Sequence, residues 1–63
     1  MNGMTWKEDV QGVFEMAIRN GVLSLDNEQP NYAGHMMYMG TNNGRDLFKH
    51  QFTRQYVAQD VTA

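Results

Sequence analysis

His35-Met-Met-Tyr-Met-Gly-Thr-Asn-Asn-Gly-Arg-Asp-Leu-Phe-Lys-His50 sets a turn signal between two runs that read as strands. Asn43-Gly44 is the preferred pair for a two-residue type I′ turn, because both central positions of that turn need positive φ. Counting outward from the turn sets Thr41 opposite Asp46, Met39 opposite Phe48 and Met37 opposite His50. One face then gathers Met37, Met39, Phe48, Phe52 and Tyr56, while Lys49, Gln51, Thr53 and Gln55 alternate onto the other. The hairpin is expected over residues 32–41 and 45–57. A competing reading makes Asp46 to Ala58 a helix capped by Asp46, since Phe48, Phe52 and Tyr56 are also spaced by four. The alternation favours strand.

Upstream, Thr5-Trp-Lys-Glu8 matches the capping box, which predicts a helix starting at Thr5. Trp6, Val10, Val13, Phe14, Ala17 and Ile18 fall on one helical stripe, and Lys7, Asp9, Gln11, Glu15 and Arg19 fill the other side. Asn20-Gly21 should close the helix, because glycine accepts the left-handed conformation found there, and Arg19 suits the negative end of the helix dipole. Gly12 stands out as a helix-interior glycine costing up to about 1 kcal/mol. Leu23 to Leu25 is a candidate third strand, and Asp26-Asn-Glu-Gln-Pro-Asn31 reads as a polar turn. Val57 to Ala63 reads as a frayed end.

These elements predict a single α+β domain over residues 1–63, with a helix at residues 5–20 packed on a small antiparallel hairpin or three-stranded sheet. Trp6, Val10, Phe14, Ile18, Met39, Phe48 and Phe52 are the core candidates. A chain of about 60 residues buries only roughly 60% of its unfolded surface, so small domains add staples. No cysteine is present, which closes disulfides and thiolate metal sites. Together with an uncovered sheet edge and outer face, this makes a homodimer the expected assembly. The 41% hydrophobic content argues for a folded chain.

Net charge is −2, with −3 on residues 1–31 and +1 on residues 32–63. That balance is too acidic for the basic face of a typical nucleic-acid binder, so nucleic acid is an unlikely partner. No apolar run approaches the roughly 20 residues of a membrane span. Met1-Asn-Gly-Met-Thr-Trp6 has no basic region followed by an apolar stretch, which makes the cytoplasm the expected location.

Chemistry-bearing patterns are sparse. His35 and His50 lie diagonally across the expected ladder with Asp46 on the same face, but a structural zinc site closes with four ligands, so no metal is expected. Ser24 has no nucleophile context, and Gly40-Thr-Asn-Asn-Gly44 lacks the spacing and lysine of a phosphate loop. The chain therefore reads as non-enzymatic and free of cofactors. Six methionines, with Met36, Met37 and Met39 clustered, supply adaptable apolar surface. Consecutive Met36 and Met37 must point to opposite faces, and the expected register sends Met36 and Tyr38 outward beside Lys49 and Gln51. Those four residues are the candidate partner-binding surface.

The favoured function is accordingly a small regulatory or inhibitory protein that binds a partner protein. Short acidic single-domain chains are frequent among phage and mobile-element proteins, so that source is an expectation too. The alternative is an oligomer that sequesters a nucleotide or other anionic small ligand with Arg45, Lys49, Arg54 and Tyr38, in which a tyrosine stacks and the cations hold the anion. A nucleic-acid-binding accessory role ranks third.

Overall fold

The computed structural model describes residues 4–60. Helix α1 runs Val10–Arg19, a short 3-10 turn runs Ala33–His35, and three strands follow: β1 Met36–Asn42, β2 Arg45–His50 and β3 Tyr56–Asp60. The strands form one antiparallel sheet in the order β1-β2-β3, which gives an α+β architecture. The helical alternative for residues 46–58 is replaced by β2, a turn and β3.

Helix α1 begins later than the capping box implies. Thr5 is taken by the edge of β1, where its N–H donates to the Thr41 carbonyl at 2.8 Å and its carbonyl accepts from the Thr41 N–H at 2.7 Å. Two long-range backbone bonds outcompete a local cap, and they also cover part of an exposed strand edge. The cap passes to Asp9, whose carboxylate accepts from the Gly12 N–H at 2.9 Å. A Cβ at Gly12 would meet only the Asp9 carboxylate, the end of a flexible side chain. The other end follows the sequence. Gly21 adopts φ +78°, its N–H reaches the Ile18 carbonyl at 3.1 Å, and the Val22 N–H reaches the Ala17 carbonyl at 2.9 Å. This is the Schellman closure that satisfies the orphan carbonyls of the last turn.

The hairpin turn is also as expected, with Asn43 at φ 55° and Gly44 at φ 76°, and Thr41 faces Asp46. Beyond Thr41 the register departs from the sequence count. A bulge between Tyr38 and Gly40 inserts Met39 as an extra residue, so Tyr38 pairs with Phe48, Met37 with Lys49 and Met36 with His50. A one-residue slip exchanges the two faces of a strand. Met36 and Tyr38, expected outside, are therefore buried under the helix, while Met37 turns to the outer face.

Val13 and Ala17 of α1 pack with Leu23, Met36, Tyr38 and Phe48 in the buried core, and Phe14, Ile18, Val22, Ala33 and Val57 flank it. Phe48 is fully buried and meets the Phe14 ring at 5.1 Å between centroids. Four expected core residues lie elsewhere: Val10 sits at the exposed start of α1, Met39 is the residue inserted by the bulge, and Trp6 and Phe52 are 62% and 70% exposed. Leu23 enters the core from an irregular segment rather than a third strand, and Ser24 makes only an isolated bridge to Tyr32. Tyr32 makes only that bridge and residues 33–35 are 3-10 helix instead of strand.

The third strand is β3, formed where a frayed end is expected from Val57; residues 61–63 of that segment lie outside the described residues, as do residues 1–3 of the leader reading. The chain reaches β3 through a five-residue turn held by His50. Its Nδ1 accepts from the Phe52 and Thr53 N–H groups at 3.1 Å each, its carbonyl accepts from the Arg54 N–H at 2.9 Å, and its N–H donates to Gln55 at 2.8 Å. Arg54 takes the left-handed conformation, φ 66°, inside this turn.

Candidate functional site

The two faces of the sheet differ in chemistry. On the helix side, Thr41, Asp46 and Gln59 form one rung across the three strands. Asp46 is fully buried and acts as the acceptor at the end of a directed chain. Lys7 N–H donates to the Tyr38 hydroxyl at 3.2 Å, Tyr38 and Thr41 hydroxyls lie 2.6 Å apart, and Thr41 donates to Asp46 Oδ1 at 2.5 Å. An ionised carboxylate can only accept, which orients both hydroxyls toward it. Lys7 Nζ closes the same oxygen at 3.2 Å. Gln59 Nε2 donates to Asp46 Oδ2 at 3.0 Å and to the Val13 carbonyl at 3.2 Å, and Gln59 Oε1 accepts from Asn20 at 3.2 Å. The bulge makes this possible, since Tyr38 and Thr41 are three apart and would otherwise point to opposite faces. Every polar group in the rung has a partner within the fold, so the rung reads as internal scaffolding.

The two histidines approach each other at the other end of the sheet, with ring centroids 5.5 Å apart. With His50 Nδ1 accepting from two backbone N–H groups, the ring hydrogen sits on Nε2, which then has no lone pair to offer a metal. His35 stacks edge-on against Tyr32 and Phe52, at 4.9 and 5.3 Å between centroids.

The outer face carries the rungs Met37–Lys49–Tyr56, Leu47–Ala58 and Arg45–Asp60, with Met39 added by the bulge. Helix α1 packs against the opposite face. Met37 and Tyr56 are 43% and 55% exposed, Lys49 Nζ lies 5.5 Å above the Tyr56 ring, and Arg45 Nε pairs with Asp60 at 3.2 Å. Leu47 and Ala58 make the middle of this face apolar, Lys49 stands between Met37 and Tyr56 on the central strand, and the Arg45–Asp60 pair closes one end.

Of the expected partner-binding residues, Lys49 lies on this face, Gln51 is exposed in the following turn, and Met36 and Tyr38 belong to the core. The expected anion site is not assembled. Tyr38 is on the inner face, Arg45 is engaged by Asp60 at the far end of β2, and Arg54 sits in the 51–55 turn. Met37, Met39, Leu47, Tyr56 and Ala58 are the outer-face residues that sequence reasoning missed. Gly40 was the available signal, because a glycine inside a strand marks a bulge and thus a change of register. No helix among the described residues is long and apolar enough to cross a membrane. No protein-family model, curated protein or solved structure matches the chain.

Proposed function

We infer that this chain is a small, non-enzymatic regulatory or inhibitory protein of the cytoplasm that works as a homodimer and occupies a surface of a partner protein. The observation that carries the reading is the outer sheet face left open by the helix, where Met37, Met39, Leu47, Tyr56 and Ala58 supply apolar surface around Lys49 of the central strand and the Arg45–Asp60 pair closes one end. Methionine and tyrosine are enriched in protein–protein interfaces. Asp46, Thr41 and Gln59 are meanwhile bonded to one another, and His50 holds a turn.

Affinity capture from lysate of the source cells, with the wild type beside Met37→Glu and Tyr56→Ser, tests this. Both substituted side chains are surface groups, so the fold should be retained. A stoichiometric protein held by the wild type and lost by both variants is the expected result. Recovery of none, or equal recovery by all three, would reject the reading.

A further inference from the structure

We propose that the homodimer is built reciprocally, with the 51–55 turn of each copy seated in the groove beside Leu25 and Asp26 of the other. This rests on the dimeric assembly inferred above but not on the outer sheet face. The two most exposed large apolar side chains among the described residues are Leu25 at 74% and Phe52 at 70%. They belong to surfaces of opposite shape. Phe52 projects from a turn, whereas Leu25 borders an open groove of about 480 Å³ lined also by Ile18, Leu23, Asp26 and Asn31.

The turn is preorganised. Two bonds to the His50 side chain and two backbone bonds that join His50 to Arg54 and Gln55 hold it, and Arg54 is kept in a left-handed conformation that a non-glycine residue rarely adopts. Rigid aromatic anchors lose little entropy on binding. The charges are complementary as well. Residues 47–59 carry Lys49 and Arg54 and no acid, whereas the groove presents Asp26, with Glu28 in the same loop. Asp26 Oδ1 accepts from the Glu28 N–H at 3.0 Å, which leaves its second oxygen for a guanidinium.

Placement completes the argument. Asn31 lines the groove and also a small cavity against His50, Thr53 and Gln55, so knob and groove adjoin on one side of the molecule. A two-fold axis passing near Asn31 exchanges the two features, and both contacts then form at once in a closed pair.

Sedimentation equilibrium on the full chain, with melting curves as a folding control, tests the assignment. The wild type should dimerise. Phe52→Ala should weaken the dimer at least about tenfold, as the loss of a central aromatic anchor does, and Leu25→Asp should do likewise from the groove side. Asp26→Asn keeps the acceptor for Glu28 and removes only charge. It and Arg54→Gln should each weaken the dimer about two- to fivefold, and the double variant should be no weaker than the worse single one. A wild type that stays monomeric up to about 1 mM overturns the dimer itself. A dimer indifferent to Phe52→Ala and Leu25→Asp, or one dissociated by Met37→Glu, overturns the knob and groove while leaving a dimer in place.

Discussion

Asp46→Asn changes one atom and should be among the more damaging single substitutions in this chain. Asp46 is fully buried and accepts from Thr41, Gln59 and Lys7. An amide has one accepting oxygen. If its NH2 replaces Oδ2, it meets the Gln59 NH2, and Gln59 cannot turn over without setting its own oxygen against the Val13 carbonyl. If the NH2 replaces Oδ1, Thr41 redirects its hydrogen to Tyr38, whose own hydroxyl hydrogen then loses its acceptor, while Lys7 keeps the remaining oxygen at 3.5 Å. The Lys7 side chain is 40% exposed and can return to water. The second arrangement is the cheaper, and it costs the Thr41–carboxylate bond and the acceptor of the Tyr38 hydrogen, about 2 kcal/mol. In a domain of this size that is roughly 8–16 °C in melting temperature.

Lys7→Met should cost less, about 1 kcal/mol, because its charge is partly solvated. The two together should cost no more than Asp46→Asn alone, since Lys7 has no further role once the carboxylate is gone. Urea unfolding followed by circular dichroism measures all three. A neutral or stabilising Asp46→Asn, or strictly additive losses, would refute the account of the rung.

Phe48→Ala should cost about 3–5 kcal/mol, as a fully buried ring does, and leave the domain largely unfolded; Phe14→Ala, half-buried, should cost about 1–2 kcal/mol. A reversed order in thermal melts would move the centre of the core. Gly40→Ala should cost about 3 kcal/mol, because φ is +106° and the new Cβ would lie 3.0 Å from Met4 Sδ and 3.2 Å from the Thr5 carbonyl. Gly21→Ala has open space at φ +78° and should cost only about 1–2 kcal/mol; equal losses would count against the close approach of the N-terminal segment. His50→Phe removes the shared acceptor of two amides, so the Phe52 and Thr53 N–H groups should exchange faster with deuterated water and stability should fall by about 1–3 kcal/mol. Unchanged protection at those amides would show that another group holds the turn.

Legibility in the sequence tracked the range over which each signal acts. Asn43-Gly44 and Asn20-Gly21 were readable because a positive φ is a steric matter between neighbouring atoms. The stripe Val13, Phe14, Ala17 and Ile18 was readable because helical spacing depends only on order along the chain. The β2–β3 turn was not, since Gln51-Phe-Thr-Arg-Gln55 contains no glycine, proline, asparagine or aspartate, and its closure comes from the side chain of His50. The candidate surface was half read. Lys49 lies on the outer face, but Met36 and Tyr38 do not, because one bulge separates the expected register from the real one.

The sequence by itself determined where the chain can bend and which helix face is apolar, through glycine, asparagine and the spacing of aliphatic groups. Only the tertiary structure decided which face of β1 is inside, which strand came third and where Thr5 went. The physical reason lies in Asp46. A buried carboxylate needs several donors at once, and burying Tyr38 and Thr41 together, three residues apart, brings their hydroxyls to it at the expense of one bulged residue. Thr5, across the same strand edge, then leads Lys7 to the remaining lone pair. None of those partners is adjacent in sequence, so their agreement exists only in the folded molecule.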